Sequence, residues 1–232
     1  MRIDVAFTPD ESAAAPTGIV IDVIRATSTI CQALASGYER VLCTAEIEEA
    51  RALRAELDGA ILGGERGNVV IPGFDLGNSP REYVEPIARE LILTTTNGTR
   101  AIVAAAARCD RVFVASLRNL DSVVYAVRKA GEDAVVVCAG VQGTLALDDA
   151  YVAGRIVAAL DWERSDAAEG AARLAQTWSS AEEAFRASKS GKNLLQNARD
   201  LEGDIAFCAE ESVLDVVPRF VRMQGLGAEI VA

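Results

Sequence analysis

The chain has 232 residues, of which 50% are hydrophobic, a formal net charge of −11 at pH 7, and no histidine. This length fits one large α/β domain or two small ones. The negative charge argues against a general nucleic-acid or membrane-surface binder, so an anionic ligand must be bound by local arginines and backbone dipoles. The absence of histidine excludes Ser-His-Asp and Cys-His catalysis, and it leaves proton transfer to carboxylates, lysine, tyrosine or a metal-bound water.

The sequence predicts a cytoplasmic protein without a membrane anchor. The N-terminal residues enter a strand-like run without the features of a signal peptide. No apolar stretch approaches the roughly 18–20 residues that span a bilayer. The five cysteines are odd in number and widely spaced, which fits neither a disulfide framework nor a zinc site. We therefore expect them to be mostly buried small hydrophobes in a reducing compartment.

Short apolar runs alternate with helical patterns along the first two thirds of the chain. The predicted strands are 2–7, 18–21, 40–44, 60–62, 91–93, 112–115 and 134–138. The predicted helices are 30–36, 46–57, 82–88, 101–106, 120–129 and 147–160. Thr27 or Ser28 is the expected N-cap of the first helix and Gly37 its C-cap, while Ser79 and Pro80 should begin the third.

From Trp162 onward the pattern becomes mainly helical, and no biased linker marks a domain boundary. Ser180 and Glu183 have the spacing of a capping box at a helix start. The other predictions are a break at 189–192, a helix at 193–201 and terminal segments at 213–217 and 229–232. We predict a single domain over 1–232 with a helical C-terminal third.

Strands that alternate with helices imply right-handed βαβ crossovers, and hence a three-layer α/β/α fold with a largely parallel or mixed central sheet. In such a sheet, ligands bind beyond the carboxyl ends of the strands. Five predicted strand ends carry acids, arginines or hydroxyls: 22–25, 63–66, 94–100, Ser116, and 140–144 with Asp148 and Asp149. A plain strand–turn–helix corner uses the same residue types, but several such ends on one sheet edge predict a functional site.

The segment 91–106 shows this logic best. An apolar run leads into Thr94-Thr95-Thr96, then into the turn dipeptide Asn97-Gly98 with Thr99, and then into an alanine-rich helix. Free backbone N–H groups and the positive end of the helix dipole favour an anion at such a helix start, and threonine hydroxyls add donors. We expect this turn to bind an anionic group.

Common phosphate-binding motifs are absent from the sequence. It contains no GxxxxGK[ST] and no GxGxxG, and Thr144 stands where a Cys-x5-Arg motif starting at Cys138 would need arginine. The run Asp22-Val23-Ile24 lacks the second aspartate of haloacid-type phosphatases. Chemistry would then depend on carboxylates with a hard cation such as Mg²⁺, and arginines would bind phosphate or sulfonate.

Four sequence blocks together resemble the ComB family, the 2-phosphosulfolactate phosphatases. They are Asp22-x-x-Arg25-Ala26-Thr27-Ser28, Gly63-Gly64-Glu65-Arg66, 73–80 (GFDLGNSP) and 94–101 (TTTNGTRA). The segments 138–140, 204–208 and 217–218 extend the resemblance over most of the chain. It implies a Mg²⁺-dependent hydrolase that converts (R)-2-phospho-3-sulfolactate into 3-sulfolactate and phosphate, a step of coenzyme M biosynthesis in methanogens. Asp148-Asp149 stands where Glu-Asp is common, so an acid remains at each position.

Candidate roles follow for individual residues. We assign catalysis to Asp22, Arg25, Glu65 and Arg66. The candidate metal ligands are Asp22, Glu65, Asp148 and Asp149, because each lies on or just after a predicted strand end. The candidate substrate-binding residues are Asn78, Ser79, Thr96, Asn97, Gly98, Thr99 and Arg100. For each acid the alternative is a helix N-cap or an arginine partner, for each arginine a salt bridge, and for Asn78 and Ser79 a loop-stabilising turn. Both a covalent phosphate on Asp22 and direct attack by metal-bound water stay open.

Two other classes of function remain open. A non-catalytic anion-binding module would keep the arginines and the threonine turn but would need no metal carboxylates. A sugar-phosphate isomerase or transferase on a related α/β sheet would need a base positioned away from the phosphate. A phosphatase or transferase for another small phosphorylated hydroxy acid also stays open. The expected partner is a small anionic phosphorylated substrate, and a homodimer is expected because two-fold dimers are the commonest oligomers.

Overall fold

The computed structural model of the chain describes residues 1–11, 13–197 and 199–232. The strands are β1 (Arg2–Ala6), β2 (Thr17–Ile21), β3 (Arg40–Thr44), β4 (Ile61–Arg66), β5 (Val69–Val70), β6 (Glu90–Thr94), β7 (Arg111–Ala115), β8 (Ala134–Cys138), β9 (Glu163–Arg164), β10 (Arg219–Gln224) and β11 (Gly227–Val231). The helices are α1 (Ala26–Ser36), α2 (Ile47–Glu56), α3 (Gly98–Ala106), α4 (Leu120–Ala130), α5 (Leu147–Ala159), α6 (Asp166–Gln176), α7 (Ala181–Ala187), α8 (Lys189–Asn197) and α9 (Gly203–Cys208).

The strands form one mixed sheet in the order β5-β4-β6-β3-β11-β10-β7-β2-β8-β1-β9. Strands β7, β2, β8, β1 and β9 pair in parallel on one side, and β3, β6 and β4 pair in parallel on the other. The antiparallel hairpin of β10 and β11 joins these two parallel halves, through β7 on one side and β3 on the other. The predicted three-layer α/β/α class with a mixed sheet is confirmed.

Both faces of the sheet are covered, which explains why its central strands are apolar at consecutive positions. Along β2, Ile19 and Ile21 pack into the core formed with α4, α5, α6 and α7, whereas Val20 packs into the core formed with α1 and α3. The side chains alternate because a strand has a period of two. Each fully buried side chain of this size contributes about 1.5–3 kcal/mol of transfer free energy.

Several local predictions are confirmed. The C-cap of α1 is Gly37, with a φ of 112° that favours glycine. Ser180 caps α7 by accepting from the backbone N–H of Glu183, but the predicted capping box is only half formed, because Oε2 of Glu183 accepts from the backbone N–H of Ser179 and not from that of Ser180. Of the five cysteines, Cys109 alone is half-buried and the others are buried. Within the described ranges, no helix has the length and apolar character needed to cross a membrane.

Other local predictions are wrong. Helix α1 begins at Ala26 and is capped by neither Thr27 nor Ser28, because both hydroxyls donate to backbone oxygens of the preceding turn. The helix expected at 82–88 is a single 3₁₀ turn over Pro80–Tyr83, since Pro86 disfavours helical backbone at the residue before it. Ser79 and Pro80 do begin that turn, as predicted.

The C-terminal third differs from the prediction at two places. Residues 189–192 do not break the chain but form the first turn of α8, which Ser188 caps by accepting from the backbone N–H of Gly191 at 2.9 Å. The predicted helix 193–201 instead ends at Asn197, and residue 198 lies outside the described residues. Residues 229–231, expected to be part of a terminal segment, belong to β11, which forms the central hairpin of the sheet with β10.

Candidate active site

A polar cavity of about 180 Å³ lies at the carboxyl ends of β2, β4, β6 and β8, beside helix α8. Six predicted site residues line it: Asp22, Arg25, Glu65, Asn78, Thr96 and Asn97. The other lining residues are Ile24, Gly67, Asn68, Val141, Gln142, Ser190 and Asn193. The structure therefore brings together residues from four strand ends, the loop before the 3₁₀ turn and the helical C-terminal third.

Asp22 directly follows β2 and is buried against the cavity. The backbone N–H and the hydroxyl of Thr27 both donate to its carbonyl oxygen at 2.9 Å, which fixes the turn into α1. Burial, followed by repulsion from Asp148 and Glu65, raises the pKa of Asp22 to about 7. A cation beside this carboxylate would relieve that repulsion, so Asp22 suits a cation ligand.

Helix α3 begins in contact with Asp22. A Cβ atom on Gly98, the first residue of α3, would lie 2.7 Å from Oδ2 of Asp22 and 2.5 Å from the Cβ of Ala26. Only glycine permits this approach, because both distances are too short for non-bonded carbon contacts. The predicted anion-binding helix start thus lies against the predicted catalytic acid.

Glu65 is the second-last residue of β4, and its carboxylate accepts hydrogen bonds from two neighbouring segments of the chain. Its Oε1 accepts from the backbone N–H of Thr96 at 3.0 Å and from the Thr96 hydroxyl at 2.9 Å. Its Oε2 accepts from the backbone N–H of Asn68 at 2.8 Å. Asn68 has a φ of 67° and, with Gly67, forms the two-residue turn between β4 and β5. Glu65 thereby orients this turn and the turn after β6 around the cavity.

Arg25 is a buried cation at the cavity wall. Its Nη1 donates to Oδ2 of Asp204 at 2.9 Å, and its Nη2 donates to Oδ1 of Asn68 at a long 3.4 Å. Asn78, on the same cavity, has a buried Oδ1 without a hydrogen-bond partner in the described part of the chain. Because a buried polar atom without a partner is costly, this oxygen indicates that a ligand or a cation completes the site.

Asp148 and Asp149 lie in the first turn of α5, behind the cavity. Both carboxylate oxygens of Asp149 accept backbone N–H groups, from Val23 at 2.9 Å and from Gly140 at 3.1 Å, so Asp149 ties the loops after β2 and β8 together. Burial, then repulsion from Asp148 and Asp22, raises its pKa well above the ordinary value. Burial also raises the pKa of Asp148 to about 6, although the Ser190 hydroxyl donates to its Oδ1 at 3.3 Å.

The four predicted metal ligands do not form one cluster. Residues 1–11, 13–197 and 199–232 contain no group of three or more acidic or cysteine side chains arranged to hold a metal ion. Asp22 and Glu65 line the cavity, whereas Asp148 and Asp149 do not. This arrangement still fits Mg²⁺, which keeps several waters and is usually bound by one or two carboxylates together with substrate phosphate. The buried Oδ1 of Asn78, which lines the same cavity and has no hydrogen-bond partner in the described part of the chain, supports the fit.

The structure does not bring Arg66, Ser79, Thr99 or Arg100 to the cavity, because their polar groups are engaged elsewhere. The Arg66 guanidinium donates to the carbonyl oxygens of Glu65 and Ala45 and to the Thr94 hydroxyl. The Ser79 hydroxyl donates to Oδ1 of Asp204 at 2.6 Å.

Thr99 and Arg100 are the other two residues in this group. The Thr99 hydroxyl exchanges hydrogen bonds with the backbone of Thr95. Arg100 forms an ion pair of 2.7 Å with Glu46 on the exposed surface. Both residues therefore stabilise the start of α3, and their binding roles stay predictions.

Sequence reasoning missed Asn68, Gln142, Ser190 and Asn193 as cavity residues. Two signals were available: Gly67-Asn68 is a turn dipeptide directly after the predicted strand end 63–66, and Gln142 lies within the predicted loop 140–144. No local signal points to Ser190 and Asn193, because α8 reaches the cavity only through the packing of the C-terminal helices.

Comparison with known proteins places the chain among related sequences. A profile described as 2-phosphosulpholactate phosphatase matches residues 5–222. A protein of Carboxydothermus hydrogenoformans, described as a probable 2-phosphosulfolactate phosphatase, is 38% identical over 227 residues, which cover 94% of this chain and 92% of that protein. Proteins of Deinococcus radiodurans and Thermus thermophilus with the same description are 37% identical, and the matches cover 94% or more of every chain involved. The chain therefore belongs to the 2-phosphosulpholactate phosphatase family, a family of phosphoric monoester hydrolases.

Proposed function

We propose that the protein is a Mg²⁺-dependent phosphatase that hydrolyses (R)-2-phospho-3-sulfolactate to 3-sulfolactate and inorganic phosphate. The observation that carries the proposal is the convergence of Asp22, Glu65 and Arg25 on one cavity of about 180 Å³. Family membership and the descriptions of the relatives support the choice of substrate. A cytoplasmic location, a homodimer and, where that pathway operates, a role in coenzyme M biosynthesis belong to the same proposal.

Asp22 and Glu65 would bind Mg²⁺, with water and substrate oxygens completing the coordination shell. When bound, the ion would polarise the phosphate and lower the pKa of a water molecule. Asp148 lies behind Asp22 and adds negative charge that favours a cation at this position. Asp149 would act indirectly, because it does not line the cavity and its two oxygens hold the loops after β2 and β8.

Arg25 would bind an anionic group of the substrate. Its Nη2 makes only the long contact to Asn68, so this end of the guanidinium can donate to a phosphate or sulfonate oxygen. The start of α3 at Asn97 would add the favourable dipole of a helix N-terminus, while the N–H and hydroxyl of Thr96 are engaged by Glu65. The Oδ1 atom of Asn78 would accept from a hydroxyl or a metal-bound water.

The first test is phosphate release from racemic phosphosulfolactate, with Mg²⁺ and then with EDTA, beside a set of plain phosphate esters. We expect release that requires the metal and favours the sulfonated substrate. Release from plain esters alone would keep the phosphatase chemistry and discard the substrate. No release by folded protein loaded with Mg²⁺ would contradict the proposal and favour a non-catalytic anion-binding module.

A further inference from the structure

The buried carboxylate of Asp204 connects the cavity to the helical C-terminal third. Asp204 lies on α9 and its side chain is fully buried, as is nearly all of the Arg25 side chain. Its Oδ2 accepts from Nη1 of Arg25 at 2.9 Å. Its Oδ1 accepts from the Ser79 hydroxyl at 2.6 Å and from Nε of Arg81 at 2.8 Å. Both carboxylate oxygens are therefore engaged, and one of them binds the only arginine that lines the cavity among the described residues.

We propose that Asp204 is a positioning residue, which fixes the Arg25 guanidinium so that its free end faces the substrate anion. This inference rests on the proposed phosphatase function. Arginine has many rotamers, and a buried guanidinium without a carboxylate partner carries a large desolvation cost. With Nη1 bound to Asp204, the orientation of the planar group is set, and Nη2 is directed to the cavity side occupied by Asn68.

The alternative is a purely structural role, in which Asp204 fastens residues 79–81 to α9. The geometry separates the two roles, because Arg81 contacts Oδ1 and is 43% exposed, whereas Arg25 contacts Oδ2 and is buried. Removal of the Arg81 side chain therefore weakens the attachment of residues 79–81 to α9 and leaves the hydrogen bond between Asp204 and Arg25 in place. Removal of the Asp204 charge affects both.

A second buried arginine provides a control, although its carboxylate partner is half exposed whereas Asp204 is fully buried. Arg118 is as buried as Arg25 and also depends on α9 and the segment after it, since it donates to the Phe207 carbonyl oxygen and pairs with Glu210. It does not line the cavity. The variant Glu210→Gln thus removes a carboxylate from a buried arginine without disturbing the proposed site.

The test is a double-mutant cycle on phosphate release, with Asp204→Asn and Arg25→Lys alone and combined. We expect Asp204→Asn to raise KM and to lower kcat/KM by about 50-fold in the wild-type background, but by no more than about threefold in the Arg25→Lys background. The controls Arg81→Ala and Glu210→Gln should stay within about threefold of wild type. Should Asp204→Asn not fold, Asp204→Glu, which keeps the charge and moves it by one methylene, takes its place in the cycle.

Two results would overturn the inference. Equal losses from the Asp204 substitution in both backgrounds would mean that it does not act through Arg25. A loss in Arg81→Ala as large as that in Asp204→Asn, with KM unchanged, would assign Asp204 to the fastening of 79–81. If the wild type releases no phosphate from any ester, the proposed function is at fault, and the same cycle is then measured on the binding of inorganic phosphate.

Discussion

The loops after β2 and β6 use the same kinds of residue but put them to different use. Both follow a buried strand and lead into a helix, and in both an arginine and a threonine lie in the loop or in the first turn of that helix. After β2, Asp22 and Arg25 line the cavity, and a distant aspartate, Asp204, engages only one end of the guanidinium. After β6, Thr99 bonds to its own turn, and Arg100 pairs with a surface glutamate. Residue type thus predicts where a site lies, while hydrogen-bond partners decide which side chains remain available for a ligand.

The largest effect is expected from removing the carboxylate charge of Asp22, directly after β2. We expect Asp22→Asn to lower kcat at least about 10³-fold, or ~4 kcal/mol, because the carboxylate supplies the charge that binds the cation. The same substitution should raise the free energy of unfolding at pH 8, since it removes a buried, repelled carboxylate. Steady-state kinetics and urea unfolding measure the two effects. Retained activity would remove Asp22 from the mechanism.

The next largest effect is expected where Gly98, at the start of α3, approaches Asp22 and Ala26. In Gly98→Ala the new Cβ would meet Asp22 and the Cβ of Ala26, so the helix start must shift. We expect kcat/KM to fall about 100-fold, as misplacement by about 1 Å can cause. Gly170→Ala is the matched control, because a Cβ at this position of α6 meets nothing within 4 Å and should leave activity unchanged. A Gly98→Ala enzyme as active as the control would show that the close approach is not needed.

The acids near the β2 end also predict how stability depends on pH. The pKa values of Asp22 and Asp148 are raised to about 7 and about 6, so between pH 4 and pH 7 the folded state binds more protons than the unfolded state. The free energy of unfolding of metal-free protein should therefore fall as pH rises through this window. Urea unfolding from pH 4 to pH 8 measures the slope, which Asp22→Asn should reduce. A slope unchanged by that substitution would contradict the assignment of the raised pKa to Asp22.

Substitution of Thr99, in the first turn of α3, should affect stability rather than chemistry. Thr99→Val keeps the shape of the side chain and removes the hydrogen bonds to Thr95, so we expect a loss of about 1 kcal/mol in the free energy of unfolding. Activity should stay within about threefold of wild type, since Thr99 does not line the cavity. An increase in KM without a change in stability would instead indicate that Thr99 binds substrate.

The smallest effect is expected at Arg100. Its ion pair with Glu46 is more than half exposed, and such pairs contribute little. Arg100→Ala should leave kcat, KM and the melting temperature close to wild type, with activity within about twofold. The variant to compare with Arg100→Ala is Arg25→Lys, which should raise KM. If Arg100→Ala raised KM as much as Arg25→Lys, both arginines would contribute to binding of the substrate anion.

The sequence predicts the parallel strands well because their burial on both faces leaves apolar runs such as Ala134–Cys138. It does not predict the β10–β11 hairpin, whose first strand is largely exposed and carries Arg219 and Arg222. It also misses the start of α8, because a glycine in a helical pattern usually indicates a break. Gly191 is required there for packing, since a Cβ would lie 2.0 Å from the carbonyl oxygen of Phe185.

The candidate site is predictable to the extent that it is built from strand ends. Asp22, Arg25, Glu65 and Asn97 lie where the rule for parallel sheets places them. The rule cannot tell that the Arg66 guanidinium donates to the carbonyl oxygens of Glu65 and Ala45 and to the Thr94 hydroxyl, or that Asp204 contacts Arg25. The contact between Asp204 and Arg25 joins residues far apart in sequence, and it forms only when α9 packs against the loop after β2.

The hairpin of β10 and β11 has a consequence for the order of folding. Every strand of both parallel halves precedes residue 219 in the chain, yet among the described residues strand pairing joins the halves only through this hairpin. During synthesis each half must therefore keep an open edge, at β7 and at β3, until the hairpin has left the ribosome. Open edges of this kind are templates for wrong strand pairing. We expect the nascent chain to depend on late insertion of residues 219–231 to protect it from aggregation.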